Sequence, residues 1–76
     1  MNRFQDINND LDNIKEKVRK GLISTTILNH YAIYSRYSYY RKLGDIVSLA
    51  VLKTSDDFNL SEMTIYTIKK DMEIEL

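Results

Sequence analysis

The sequence predicts an all-α fold: one small domain of four helices, an N-terminal helix followed by a three-helix core. Three observations predict it. Proline is absent and glycine occurs only at positions 21 and 44, which favours a few helices over many turns. Apolar residues recur at three- and four-residue intervals along most of the chain. Small polar residues and both glycines fall where helix ends are needed. Seventy-six residues form a single domain near the lower limit for a self-sufficient core. It divides into an N-terminal helix and turn, 1–23, and a three-helix core, 24–76.

The first helix is expected from Asp6 or Asn9 to Lys20. Ile7, Leu11, Ile14 and Val18 make a narrow apolar stripe on a polar rod. Asp6, Asp10 and Asp12 come early and Lys15, Lys17, Arg19 and Lys20 late, as the helix dipole prefers. That sorting explains the basic cluster at 15–20 at least as well as phosphate contact does. Gly21 is placed to end the helix in a left-handed turn, with Leu22 folding back over it.

Ser24 or Thr25 caps the second helix, which runs to Leu43 and is closed by Gly44. Five of the six tyrosines lie between 31 and 40. At 100° per residue, Ile27, Leu28, Tyr31, Ala32, Tyr34, Tyr39 and Leu43 share one broad arc. Ile33, Tyr37 and Tyr40 form a stripe on the opposite side. A helix apolar on two sides needs cover on both, supplied either by the first helix or by a second copy of the chain. Tyrosines interleaved with Arg36, Arg41 and Lys42 also have the composition of a single-stranded nucleic-acid platform. Half-buried tyrosines with wet hydroxyls account for the pattern better. His30 is the only histidine and reads as structural or surface rather than metal-binding or catalytic.

Asp45 is the expected cap of the third helix, 46–58, whose inward arc is Ile46, Val47, Ala50, Val51, Thr54 and Phe58. Leu49 and Leu52 lie outside that arc and, with Ile33, Tyr37 and Tyr40, are the candidate self-association residues. Asn59 suits a left-handed turn and Ser61 an N-cap. The fourth helix, 61–73, then has Thr64, Ile65, Ile68 and Met72 inward. Its outward face is Met63, Tyr66, Thr67 and Lys70, with Glu62 and Glu73 at the rim. Residues 72–76 alternate apolar and acidic, and extend the helix, fray, or pair as a short strand with a second chain. The expected core is Leu11, Ile14, Val18, Ile27, Leu28, Tyr31, Val47, Val51, Phe58, Leu60, Ile65 and Ile68.

Two helices joined by a tight turn, with Ser-x-x-Thr-Ile opening the second, is how a helix-turn-helix reads in sequence. The segment Thr54–Lys70 resembles the DNA-binding helix-turn-helix superfamily of small bacterial or phage proteins. Thr54, Ser55, Phe58, Asn59, Leu60, Ser61, Thr64, Ile65 and Ile68 fall where that pattern places small, turn, cap or buried residues. The resemblance covers about a quarter of the chain. It implies double-stranded DNA as the partner, a homodimer, and a role as a transcriptional regulator or phage DNA-recognition component. Helix 61–73 would enter the major groove with Ser61, Glu62, Met63, Thr64, Tyr66, Thr67 and Lys70, while Arg41, Lys42 and Lys53 would hold the backbone. Thr67 stands where the superfamily often has an arginine.

Charge is divided between the halves. Residues 1–44 carry eight Lys or Arg against four Asp or Glu, and residues 45–76 carry three against seven. A DNA reader normally shows a basic footprint, so DNA contact here depends on the basic half lying beside the motif. The alternative is a protein-binding adaptor or inhibitor using the same scaffold, since fold alone does not oblige DNA binding.

The absence of cysteine removes disulfides, thiolate metal sites and a cysteine nucleophile. Helical spacing puts no two carboxylates obviously buried and facing, and no glycine-rich loop offers a phosphate cradle. No enzyme, metal or cofactor is therefore expected. The amino end, MNRFQDINND, is polar, and no apolar run is long enough to span a bilayer. A cytoplasmic, soluble protein of a bacterial cell, free or nucleoid-associated, is the expectation, and the richness in Asn, Ile, Lys, Asp and Tyr fits a low-GC bacterial or phage genome.

Overall fold

The structure, a computed structural model, describes residues 1–76 and is all-helical. Five helices follow in order: α1 (Arg3–Asn9), α2 (Leu11–Arg19), α3 (Thr26–Lys42), α4 (Val47–Phe58) and α5 (Glu62–Met72). Helices α3, α4 and α5 pack on one another, α1 lies against α3 and α5, and α2 adjoins mainly α1. No helix is long and apolar enough to cross a membrane.

Five helices rather than four result from a break at Asp10, where φ is −118° and ψ 22°. Asn8, Asn9 and Asp10 are weak helix formers whose side chains compete for backbone groups. Asp10 ends one helix and starts the next, its N–H donating to the Ile7 carbonyl and its carbonyl accepting from Ile14. The first helix also begins earlier than expected. Asn2 accepts from the Gln5 amide and Gln5 from the Asn2 amide, both at 2.9 Å, a reciprocal cap.

Helices α2, α3 and α4 close alike. Gly21, Gly44 and Asn59 have φ of 76°, 101° and 54°. Beyond each, an amide bonds back five residues: Leu22 to Lys17, Asp45 to Tyr40 and Leu60 to Ser55. Although its amide folds back, the Leu22 side chain is exposed. Ser61 caps α5, accepting from the Thr64 amide at 3.1 Å. Asp45 does not cap α4; Ile46 takes the cap position, and Asp45 instead accepts from Lys53 Nζ at 2.8 Å. Thr25 precedes α3 without a side-chain cap bond, and Ser24 Oγ accepts from the Thr26 amide.

The core sits between α3, α4 and α5, with Ile65, Met72, Val51 and Thr54 its largest fully buried side chains. Ile14 and Ile68 are buried as expected, while Leu11, Val18, Ile27, Leu28, Tyr31 and Val47 are half-buried around it. Thr54 Oγ1 donates to the Ala50 carbonyl at 2.7 Å, so the hydroxyl is satisfied where it is most enclosed. Two expected core residues lie elsewhere. Phe58 is 36% exposed and Leu60 39%. Phe58 borders an open hollow that Ala32 and Ser35 of α3 also line, and Leu60 stands in the turn with one side open. Ile46, expected inward, is also exposed, because it precedes the first turn of α4.

On the opposite side of α3, Ile33 and Tyr37 are buried, whereas of the broad arc only Tyr34 is. Phe4 of α1 stacks on Tyr31 and tilts against Tyr34 at centroid distances of 5.2 and 4.7 Å. Residues 74–76 do form extended pairing, but in cis. Arg3 donates to the Ile74 carbonyl at 2.9 Å and Leu76 to the Met1 carbonyl at 3.0 Å, around an antiparallel bridge of Asn2 with Glu75. Arg3 Nη1 meets Asp71 Oδ1 at 2.7 Å, tying α1 to the last turn of α5.

Candidate nucleic-acid interface

Three residues, 59–61, separate α4 from α5, and the turn sets which side of α5 is buried. Ile65, Ile68 and Met72 face the core, leaving Glu62, Met63, Tyr66, Thr67 and Lys70 exposed. Met63 is 78% exposed and Tyr66 44%. The hydroxyls of Ser61 and Thr64 lie 2.9 Å apart, and Thr67 Oγ1 donates to the Met63 carbonyl at 3.0 Å. These hydroxyls are held by the helix yet open to solvent, each with lone pairs to spare.

The basic residues divide by partner. Arg41 and Lys42, in the last turn of α3, share a hollow of about 390 Å³ with Tyr34, Tyr37, Lys69 and Glu73. The packing of α3 on α5 thus sets two cations from the basic half against the flank of α5. Arg41 donates to the Asp45 carbonyl at 2.9 Å, which leaves its charge without a carboxylate partner. Lys42 and Lys70 make no ion pair, whereas Lys69 Nζ lies 2.8 Å from Glu73 Oε1. The hydrogen bond to Glu73 raises the pKa of Lys69 despite partial burial. Lys53 belongs to a different neighbourhood. Its bond to Asp45 raises its pKa, and it lies 5.3 Å from the Tyr40 ring. Of the three expected backbone-holding residues, the structure brings Arg41 and Lys42 to α5 and does not place Lys53 with them.

Glu73 is central to the hollow in a way that sequence spacing did not reveal. It accepts from Tyr34 at 2.7 Å as well as from Lys69. Burial, reinforced by this bond, pushes the Tyr34 hydroxyl well above the ordinary tyrosine range. Burial also raises Tyr37, partly offset by nearby Lys69 and Arg41. The hollow therefore holds three cations, one carboxylate and two protonated phenols.

Comparison with protein-family models, curated proteins and solved structures finds no match. The site's chemistry rests on its own geometry.

The candidate self-association residues are dispersed. Ile33 and Tyr37 are buried within one chain at 6% and 4% exposure, so they offer no face to a second copy. Tyr40 is half-buried, its hydroxyl bonded to Asp57 of α4. The stripe on that side of α3 is covered by α4 and α5 rather than by α1 or a second copy. Leu49 and Leu52 remain exposed at 39% and 43%.

Proposed function

We propose that the chain is a small DNA-binding protein in which α4, the turn at Asn59 and α5 act as a helix-turn-helix. One observation carries this reading: Arg41 and Lys42 share a hollow with Lys69 on the flank of a helix whose outward face is open. The amino-terminal turns of α5 enter the major groove. There Ser61 and Thr64 reach phosphate or base edges, and Met63 and Thr67 contact thymine methyls. Tyr66 and Lys70 hold the backbone to either side, with Arg41 and Lys42 extending the phosphate contacts. Glu62 accepts from a cytosine amino group. A two-fold pairing through Leu49 and Leu52 would set two α5 helices about one DNA turn apart, the spacing dimeric readers use. A transcriptional regulator, or the DNA-recognition component of a phage system, is the role this arrangement serves, in the cytoplasm of a bacterial cell.

The divided cations supply the test. Arg41→Ala with Lys42→Ala should reduce the salt dependence of binding to a mixed-sequence duplex by about two in log–log slope. Lys53→Ala, already paired with Asp45, should leave it unchanged. Equal effects from both variants would remove the proposed footprint.

A specific observation favours a second reading, the protein-binding adaptor. Met63, Tyr66 and Ile74 are large apolar side chains exposed at 78%, 44% and 49%, beside Glu62 and Glu75. As anchors for a protein they would make Tyr66→Ala abolish partner capture, with duplex binding undetectable throughout.

A further inference from the structure

The largest hollow in the molecule lies away from α5. It is a groove of about 670 Å³ between α2 and α3, closed at one side by Phe58 of α4. Its apolar lining includes Leu11, Leu28, Ala32, Tyr31 and Tyr39. The groove exists because α2 hangs mainly from α1 and stands off the middle of α3. Lys15 and Arg36 rise at its rims, and none of the chain's eleven carboxylates lines it. Lys15 makes no ion pair, and the only carboxylate paired with Arg36 is Asp57, at a loose 3.9 Å. An apolar trough with two cations and no acid is complementary to something apolar along one side and acidic at its edges.

We propose that this groove receives one amphipathic helix of a partner protein, apolar on its buried face and acidic on its flanks. Shape sets the class of occupant. From Leu28 to Tyr39 the groove follows α3 for about 16 Å, roughly three turns of a docked helix. Small-molecule sites enclose most of their ligand, and this trough is open along its length. Single-stranded nucleic acid fits less well. It needs free aromatic faces and a track of cations, whereas Tyr31 is stacked on Phe4, Tyr39 is engaged by Tyr40 and Arg36, and only two cations flank an otherwise apolar floor. The inference is independent of the DNA reading, because no residue of α5 takes part.

The probes are two designed helical peptides of about 18 residues, one of Leu and Glu and its Leu and Lys counterpart, titrated into the full chain without DNA. Amide chemical shifts should move at Leu28, Ala32, Tyr39 and Phe58, and the acidic peptide should bind about tenfold more tightly at low salt. Lys15→Glu with Arg36→Glu should reverse that order. Ala32→Tyr adds bulk at an exposed helical position and fills the trough. It should weaken the acidic peptide at least about tenfold while the melting temperature holds. No binding of the acidic peptide, equal affinity for both peptides, or shifts confined to other faces would overturn the proposal. So would tighter binding of oligo-dT at the same amides, or a sedimenting dimer that Ala32→Tyr dissociates, since either would assign the groove to another occupant.

Discussion

Ile65 and Phe58 stand seven positions from one another across the turn, and the structure gives them unequal weight. Ile65 is 1% exposed at the centre of the three-helix core. Truncating a buried isoleucine to alanine costs about 2–5 kcal/mol, from lost transfer energy and the cavity left behind. Phe58→Ala would cost about 3–5 kcal/mol in an enclosed core. Here the ring is 36% exposed and borders an open groove, so little new cavity forms and the cost falls to about 2 kcal/mol. A domain of this length has a total stability of roughly 4–11 kcal/mol. Ile65→Ala therefore removes a large share of it and lowers the melting temperature by about 15–25 °C, against roughly 8–15 °C for Phe58→Ala. Urea unfolding followed by far-ultraviolet circular dichroism, with m held constant between variants, measures both. A Phe58→Ala cost equal to or above that of Ile65→Ala would refute the placement of the core between α3, α4 and α5.

Three further predictions concern helix ends and titration. Above about pH 10 the unfolded chain ionises Tyr34 while the folded chain keeps it protonated, because its folded pKa is raised. The stabilisation is complete below pH 10 and is lost as pH climbs toward the folded pKa; Tyr34→Phe should flatten this alkaline decline in urea midpoints. Ser61→Ala removes the cap bond to the Thr64 amide and should cost about 1 kcal/mol. Gly44→Ala meets no atom within 4 Å but forces a side chain onto a φ of 101°, and should cost about 1–2 kcal/mol with no change in fold.

Legibility in the sequence followed how local each determinant is. Gly21, Gly44, Asn59 and Ser61 act within one turn of the backbone, and each behaves as its residue type requires. The reciprocal cap of Asn2 and Gln5 was equally local and marks a helix start that the periodicity of Ile7, Leu11, Ile14 and Val18 obscured. That stripe continues through Asp10, so the break had to be read from Asn8–Asn9–Asp10 instead. Which side of α3 is buried was not local. Both sides carry tyrosines, and the choice depends on α4 and α5, helices later in the chain, covering Ile33 and Tyr37. The outward face of α5 followed from its period except at Thr64, expected inward but exposed in the first turn, whereas the gathering of Arg41 and Lys42 beside Lys69 and Glu73 needed the packing of α3 on α5. For the same reason Asp45 looked like a cap and proved to be the partner of Lys53.

The central claim, that α5 and its basic flank bind DNA, is tested most directly by titrating the unmodified protein with a mixed-sequence duplex across a range of salt. Arg41, Lys42 and Lys70 are the cations available to phosphate. Three contacts per chain predict that log affinity falls linearly with log salt at a slope of about −3, doubled for a dimer on two half-sites. Binding at about 50 mM salt with that slope is the expected result. No binding at that salt, or an affinity that salt does not change, would contradict the account and leave the exposed face of α5 to a protein partner.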